Sequence, residues 1–331
     1  MKKIEFKLKI HTPWHRFNNK INIDSKDINK FLKIIRKQEL AFNNFKCGEL
    51  CNIEINNIGN VRLSFFNDTD HKEVNHFIAL FIYYMSILNG FNCEISKNCK
   101  IDGKTYKNYF PFPKEDSTPY PLMKNVKFYE ISLESIKNVF GDNMYKLYTH
   151  SNRDFLLSIL SNYYSTVFYK DFSGNLEYKF RNIITNLEAI ITIINREKYN
   201  NYRLKNKEKI KEFKIQIHDI NDYVLPKSKS LQDKLKDLFT LLTELFGLSL
   251  KNNLNKECER LANTRNFISH LFEEQKNIIS HKEMADYTSA LSDVFRMLFL
   301  YYLGFDSKFI KTKFFRSLFI KQKMSLIFSF T

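Results

Sequence analysis

Residues 176–194 read LEYKFRNIITNLEAIITII, and the apolar positions Leu176, Phe180, Ile183, Leu187, Ile190 and Ile194 recur in steps of four and three. On a helix that turns about 100° per residue, those steps keep the apolar side chains on one face. The stretch therefore predicts a long amphipathic helix that buries a single seam. Downstream the pattern returns twice. Leu231, Leu235, Leu238, Leu242 and Leu245 form one seam, ended by Gly247. Met284, Tyr287, Leu291, Val294, Leu298 and Tyr301 form the next, ended by Gly304, a residue suited to a left-handed cap. Long amphipathic helices with short connections imply a bundle.

Upstream the period is that of strands. Ile4, Phe6, Leu8 and Ile10 alternate with Lys3, Glu5, Lys7 and Lys9, the pattern of a half-buried strand. Cys51 to Ile55 and Val61 to Phe66 read as a hairpin around Asn57 and Gly59, and a helix from His71 to Leu88 follows, closed by Asn89 and Gly90. Phe91 to Ser96 and Thr105 to Phe110 are expected to pair around Asp102-Gly103. Pro111, Pro113, Pro119 and Pro121 then mark an irregular connection, since proline removes a backbone donor and biases its predecessor away from helix. The expected class is α+β: a mixed α/β N-terminal domain over residues 1–140 and an all-α bundle over 145–331.

The chain has 331 residues and is 44% hydrophobic, which fits a folded protein with at least one sizeable core. Its formal net charge of +16 favours a polyanionic partner, although the chain's Lys, Asn and Ile bias accounts for part of that excess. MKKIEFKLKI at the start has no continuous apolar core for a signal peptide, and Phe77 to Leu88 is too short to cross a bilayer. With no membrane span expected, the five cysteines point to reduced thiols in the cytoplasm.

The stretch between the last two seams carries the chemistry. Leu254, Cys258, Leu261, Ile268 and Phe272 hold five places of another seam, and Arg265 holds the sixth. A guanidinium keeps its proton, so burying it requires something negative beside it, either a carboxylate of the fold or the phosphate of a ligand. His270 follows five residues later, about 140° further round the helix. Asn266 shares a face with His270, four residues before it, and Phe267 lies on that side too. This is a suitable set for cutting RNA without a metal. Histidine titrates near neutrality and can move the proton of a ribose 2′-hydroxyl, and arginine presents a fork that matches phosphate oxygens.

Arg265-Asn-Phe-Ile-Ser-His270 resembles the signature of HEPN ribonucleases, an Arg and a His four to six residues apart with a polar residue after the Arg. Together with the Leu187-Glu188 helix upstream and the final long helix ending at Leu300 to Gly304, the stretch from about 145 to 305 is similar to the Apea-like HEPN domains of anti-phage defence proteins. The resemblance implies an endoribonuclease with Arg265, His270 and Asn266 in its site, no cofactor and no metal. It also implies RNA as the partner, transfer RNA being a plausible one, a homodimer that pairs two motifs, and a phage-derived trigger sensed through the N-terminal part. Some HEPN toxins carry a modifiable tyrosine two residues after the His. This chain has Phe272 there, which argues against silencing by that route. The alternative is a non-catalytic nucleotide- or RNA-binding HEPN module acting through a partner.

Competing readings are structural. Arg265 would pair with Glu257 or Glu273, and Glu188, which interrupts an apolar run, would either contact Arg265 across the bundle or, more often for such a residue, lie on a solvated face. Asp68, Asp70, His71, Glu73 and His76 suggest a metal cluster, but Asp70 and Glu73 fit a helix cap better. Cys47, Cys51, Cys93 and Cys99 are poorly spaced for zinc. The basic stretches Lys198 to Lys214 and Lys308 to Lys323 would either follow an RNA backbone or form solvated faces of helices docked by their aromatic side. The apolar end of the last long helix, Met297 to Leu303, offers surface that a dimer would bury. No phosphate-cradling glycine loop, Ser-His-Asp order or acidic pair suited to a two-metal nuclease is visible.

Overall fold

A computed structural model describes residues 2–10, 42–56, 60–67, 69–89, 93–107, 133–151, 153–168, 175–205, 229–270, 277–316 and 318–330. The chain divides into two compact units, Met1–Asp171 and Phe172–Thr331. The boundary expected between 140 and 145 falls inside a helix, Leu133–Tyr148, that packs in the first unit.

The first unit is built on a six-stranded antiparallel sheet of β1 (Lys3–Ile10), β2 (Phe42–Cys47), β3 (Cys51–Asn56), β4 (Asn60–Phe65), β5 (Cys93–Ile101) and β6 (Lys104–Lys107). Its spatial order is β2-β3-β4-β1-β5-β6. The alternation read in the sequence is visible directly: Ile4 and Phe6, Ile53 and Ile55, and Val61, Leu63 and Phe65 all point into the core. The β3–β4 pairing and the β5–β6 turn follow the expected plan, but β5 runs on to the turn itself. Asp102 and Gly103 have φ of 49° and 81°, the positive pair that a tight hairpin requires. Asp102 Oδ1 also accepts the Lys3 N–H at 2.7 Å. The turn at 57–59 and Gly90 lie outside the described residues.

Helices α1 (His71–Asn89), α2 (Leu133–Tyr148) and α3 (Arg153–Phe168) pack with this sheet. Phe81 of α1 sits edge-on to Phe6 of β1 and to Phe140 of α2, and Phe140 lies 4.6 Å from Phe45 of β2, ring centre to ring centre. Asp70 caps α1 by accepting the Glu73 N–H at 2.7 Å. Glu73 does not reach back to complete the box. Arg153 clasps its carboxylate at 2.7 and 3.0 Å, Tyr148 donates to it at 2.6 Å, and together they hold it below the usual carboxylate range. Of the acidic residues that suggested a metal, Asp70 is thus a cap and Glu73 a strut, and Asp68 lies outside the described residues.

The second unit contains α4 (Leu176–Lys205), α5 (Leu231–Phe246), β7 (Leu248–Leu250), α6 (Leu254–His270), α7 (His281–Tyr302), α8 (Ser307–Phe315), α9 (Leu318–Met324) and β8 (Phe328–Phe330). The three predicted seams are buried along their middles, at Phe180, Ile183, Leu187 and Ile190 on α4, Leu235, Leu238 and Leu242 on α5, and Leu291, Val294 and Leu298 on α7, while Leu176, Leu231, Leu245 and Tyr301 at their ends are half-buried. α4 packs along α7 and also meets α5 and α6. Gly247 ends α5 at φ 64°, and Gly304, at φ 98°, follows α7, where the Phe305 N–H returns to the Leu300 carbonyl at 3.1 Å. The short β7–β8 pair is an addition to the all-helical expectation. Among the described residues no helix is long and apolar enough to cross a membrane, and the five cysteines are free and buried.

Gly141 sits where α2 comes closest to β2, and a Cβ there would stand 2.0 Å from the Lys46 carbonyl oxygen. Backbone cannot yield as a side-chain tip does, so Gly141→Ala is expected to cost about 1–3 kcal/mol and lower the melting midpoint measured by circular dichroism. An unchanged midpoint would refute this packing. At the start of α7, Glu283 accepts from the Ser280 hydroxyl and N–H and from Arg260, which together hold its carboxyl down to about 2. A depressed carboxyl stabilises the fold above its ordinary value of 4.5 and loses that effect as pH falls through about 2. Glu283→Gln should therefore melt earlier than wild type at neutral pH, and the two melting curves should converge as the pH falls to about 2. A constant gap across that range would count against the depressed carboxyl.

Candidate active site

Helix α6 is fixed by polar contacts before it reaches the motif. Asn253 Oδ1 accepts the N–H groups of Asn255 and Lys256 at 3.1 and 3.3 Å, which satisfies donors the first turn would leave free. Glu257, only 1% exposed, then takes three partners: Asn252 Nδ2 at 3.0 Å, Arg260 Nη1 at 3.2 Å and the Tyr287 hydroxyl of α7. Burial and this carboxylate push the Tyr287 phenol well above its ordinary value. Arg260 Nη2 continues to both oxygens of Glu283 at 3.1 Å. One turn on, Thr264 Oγ1 accepts the Ile279 N–H at 2.9 Å and donates to the Arg260 carbonyl at 2.7 Å. α6 is thereby clamped to the start of α7 along its middle, and the motif occupies the remaining turn and a half.

Arg265 stands at that exit. Its side chain is 27% exposed, whereas Cys258 and Leu261 earlier in the seam are fully buried. Leu254, expected in the seam, is exposed in the first turn, and Phe272 lies outside the described residues. Arg265 Nη1 donates to Asn266 Oδ1 at 3.2 Å, and Nη2 stands 3.9 Å from Glu188 Oε2 of α4. Its Nε is buried and has no acceptor among the described residues. A guanidinium carries five N–H donors, so most of this one's capacity is unused.

The expectation that Glu188 lies on a solvated face is overturned: its side chain is 24% exposed and turned inward among cations. Its Oε1 accepts from Lys234 Nζ of α5 at 2.7 Å. Glu257 belongs to Arg260 rather than to Arg265, and Glu273 lies outside the described residues. Lys234 was missed at the sequence level. It flanks Leu235 of the α5 seam, and the only signal was a carboxylate interrupting the apolar run of α4.

Asn266, expected on the His270 face, is turned to Arg265 instead. His270 is the last residue of α6 and is exposed. It lies about 7.5 Å along the axis and about 140° round from Arg265, so the structure brings Arg265, Asn266, Glu188 and Lys234 together and leaves His270 apart from them. The cluster can hold an anion through Arg265, and His270 can carry a proton at the helix end. Cys258 is no rival nucleophile, since burial pushes its thiol up to about 12.

Surface expectations divide similarly. Ile310 and Phe314 of α8 and Ile320 and Met324 of α9 are buried, whereas Lys308, Arg316 and Lys321 are exposed. The aromatic side is docked and three cations face water. Lys323 is engaged by Asp293 at 2.7 Å. The rest of the other basic stretch, beyond the helical backbone of α4, lies outside the described residues. The end of α7 is not free for a partner, since Met297 to Leu300 are fully buried within the unit and Tyr302 and Leu303 nearly so.

No curated protein and no solved structure matches the chain. The family model described as Apea-like HEPN matches residues 84–309, well over half of the chain. The match begins within α1, upstream of the resemblance seen from about residue 145, and so includes α2 and α3 of the first unit. The chain belongs to the Apea-like HEPN family, whose wider HEPN grouping comprises ribonucleases and nucleotide-binding modules.

Proposed function

We propose that the chain is a metal-independent endoribonuclease acting at Arg265, Asn266 and His270, in anti-phage defence. The observation that carries this reading is the under-used guanidinium of Arg265, seated in an apolar seam beside Asn266 with His270 at the end of the same helix. In the reaction the ribose 2′-oxygen bonds to the adjacent phosphorus and the bond from phosphorus to the 5′-oxygen breaks. The 2′-hydroxyl proton goes to a base, and an acid protonates the departing 5′-oxygen, leaving a 2′,3′-cyclic phosphate and a 5′-hydroxyl. Histidine serves for either proton step, and Arg265, oriented by Asn266, stabilises the charge that builds on the phosphorane.

The separation of Arg265 from His270 supports a composite site. In a two-fold dimer with the ends of α6 facing each other, Arg265 of one protomer meets the His270 of its partner. Because the end of α7 is consumed in the monomer, the dimer face consists of the last turn of α6, where Phe267 and Ile268 are only half-buried. The RNA partner, with transfer RNA as one class, would lie along a surface carrying Lys308, Arg316 and Lys321, and the first unit would receive the phage-derived trigger. The exposure of His270, which has no hydrogen bond to an orienting group among the described residues, favours a second reading, a nucleotide- or RNA-binding module that acts through a partner.

Arg265→Ala and His270→Ala should each abolish cleavage of cellular RNA while leaving the melting midpoint within a few degrees of wild type. Activity should persist in excess chelator, and mass spectrometry of the fragments should find cyclic phosphate and 5′-hydroxyl ends. Folded variants that cut at the wild-type rate, or 5′-phosphate ends, would sink the mechanism. RNA binding without cleavage under any condition would favour the second reading.

Light scattering across a dilution series should show a dimer whose dissociation parallels the loss of activity. Mixing the two inactive variants should recover about a quarter of wild-type activity, since half the dimers are mixed and each holds one complete Arg265–His270 pair of two. No recovery from well-mixed dimers would place both residues of a site in one protomer.

A further inference from the structure

Arg260 and Arg265 are five residues apart on α6 and nearly equally exposed, at 25% and 27%, yet their pairing is opposite. Arg260 donates to the carboxylates of both Glu257 and Glu283 at 3.1–3.3 Å. Arg265 has a carboxylate within reach, but Glu188 stops at 3.9 Å, beyond hydrogen-bond range, and directs its other oxygen to Lys234 at 2.7 Å. Without the lysine, a shift of about 1 Å would bring Glu188 into contact with the guanidinium.

From this geometry we infer that Lys234 is a positioning residue that holds Glu188 off Arg265 and so keeps the guanidinium open to a phosphodiester. The inference rests on the phosphate role given to Arg265 above. Carboxylate and phosphate compete for the same fork of N–H donors, so a carboxylate in full contact would have to be displaced by each incoming RNA. Held back, Glu188 still offsets part of the arginine's charge through space without occupying its donors. Lys234 has a second effect. The charges of Lys234, Arg265 and Glu188 sum to +1, and removing the lysine leaves a cluster with no net attraction for an anion. At 16% and 24% exposure, Lys234 and Glu188 are screened less than a surface pair would be.

A purely structural tie between α4 and α5 is the competing explanation. The two helices are joined independently by Asp237 of α5, which accepts from Asn195 of α4 at 3.4 Å and from Lys229 at 2.8 Å. The middles of both seams are buried besides, from Phe180 to Ile190 on α4 and from Leu235 to Leu242 on α5. Their packing therefore does not depend on Lys234.

The test uses the full-length protein, a fluorescent mixed-sequence 2′-O-methyl RNA that can bind but cannot be cut, and cleavage of cellular RNA. Lys234→Met should weaken binding of the probe, and raise the KM for cleavage, by about tenfold, as expected when a charge-assisted contact to phosphate is lost. Glu188→Gln should bind at least as well as wild type. The double variant should return to within about threefold of Glu188→Gln, because without the competing carboxylate the lysine has little left to do. Lys234→Arg should retain binding, and it carries the test with the double variant should Lys234→Met not fold. Wild-type binding by Lys234→Met, or a double variant as weak as Lys234→Met, would overturn the inference. Should the protein show this binding pattern and cut no RNA, the ribonuclease reading fails and the positioning role stands. If RNA is cut and Lys234→Met is unaffected, only the positioning role fails.

Discussion

Glu257 sets the geometry of the second unit. A carboxylate this deeply buried is tolerable only with its oxygens bonded, and the three donors that bond it come from different parts of the chain. Asn252 belongs to the link after β7, Arg260 to the next turn of α6, and Tyr287 to α7. Satisfying one side chain therefore fixes where α6 starts, how it is rotated and which part of α7 it meets. Arg260 extends the arrangement to Glu283, which also closes the capping box with Ser280. The clamp ends at Thr264, and the next residue is Arg265. The proposed chemistry thus lies just beyond the last rigidly held point of the helix, near enough to be placed by it and open enough to meet a ligand.

The two arginines of α6 show how one side-chain type serves two ends. Arg260 faces two carboxylates, and both of its terminal nitrogens are taken by them. Arg265 faces a single carboxylate that a lysine has already engaged. What separates the two is the number of cations competing for each anion, since burial is almost equal. A static contact map would record both as salt-bridged. Only the distances, about 3.1 Å against 3.9 Å, separate a strut from an available donor.

How legible all this was depended on the range of the contacts involved. Periodicity exposed the helices of the second unit because each seam is a local property of its own residues, and the caps at Gly247 and Gly304 are local as well. The anomaly of Arg265 was legible for the same reason, as one wrong residue in a regular series. Its partners were less so. Glu188 and Lys234 come from helices 77 and 31 positions upstream by residue number; Glu188 stood out only as a charge in an apolar run, open to either a contact with Arg265 or a solvated face, and nothing marked Lys234. β2 was unreadable because its FNNFKC sequence buries Phe45 and Cys47 between polar residues, too short a pattern to stand out. α2 and α3 were not read in the sequence, and a helical period alone would not say whether a helix covers a sheet or joins a bundle. That choice is made by contacts such as Phe140 with Phe45, and by a glycine that lets α2 approach β2.

The same distinction bears on how two chains would meet. An apolar run such as Met297 to Leu303 looks like interface in a sequence, because nothing local shows that α4 and the C-terminal helices already cover α7. With that surface spent inside the unit, the proposed dimer face is the last turn and a half of α6, beyond the clamp. There Phe267 and Ile268 are half-buried, and His270 is exposed at the helix end. In the proposed dimer this face would bring cations from both protomers toward one phosphate of a bound RNA, so charge as well as apolar contact would hold it together.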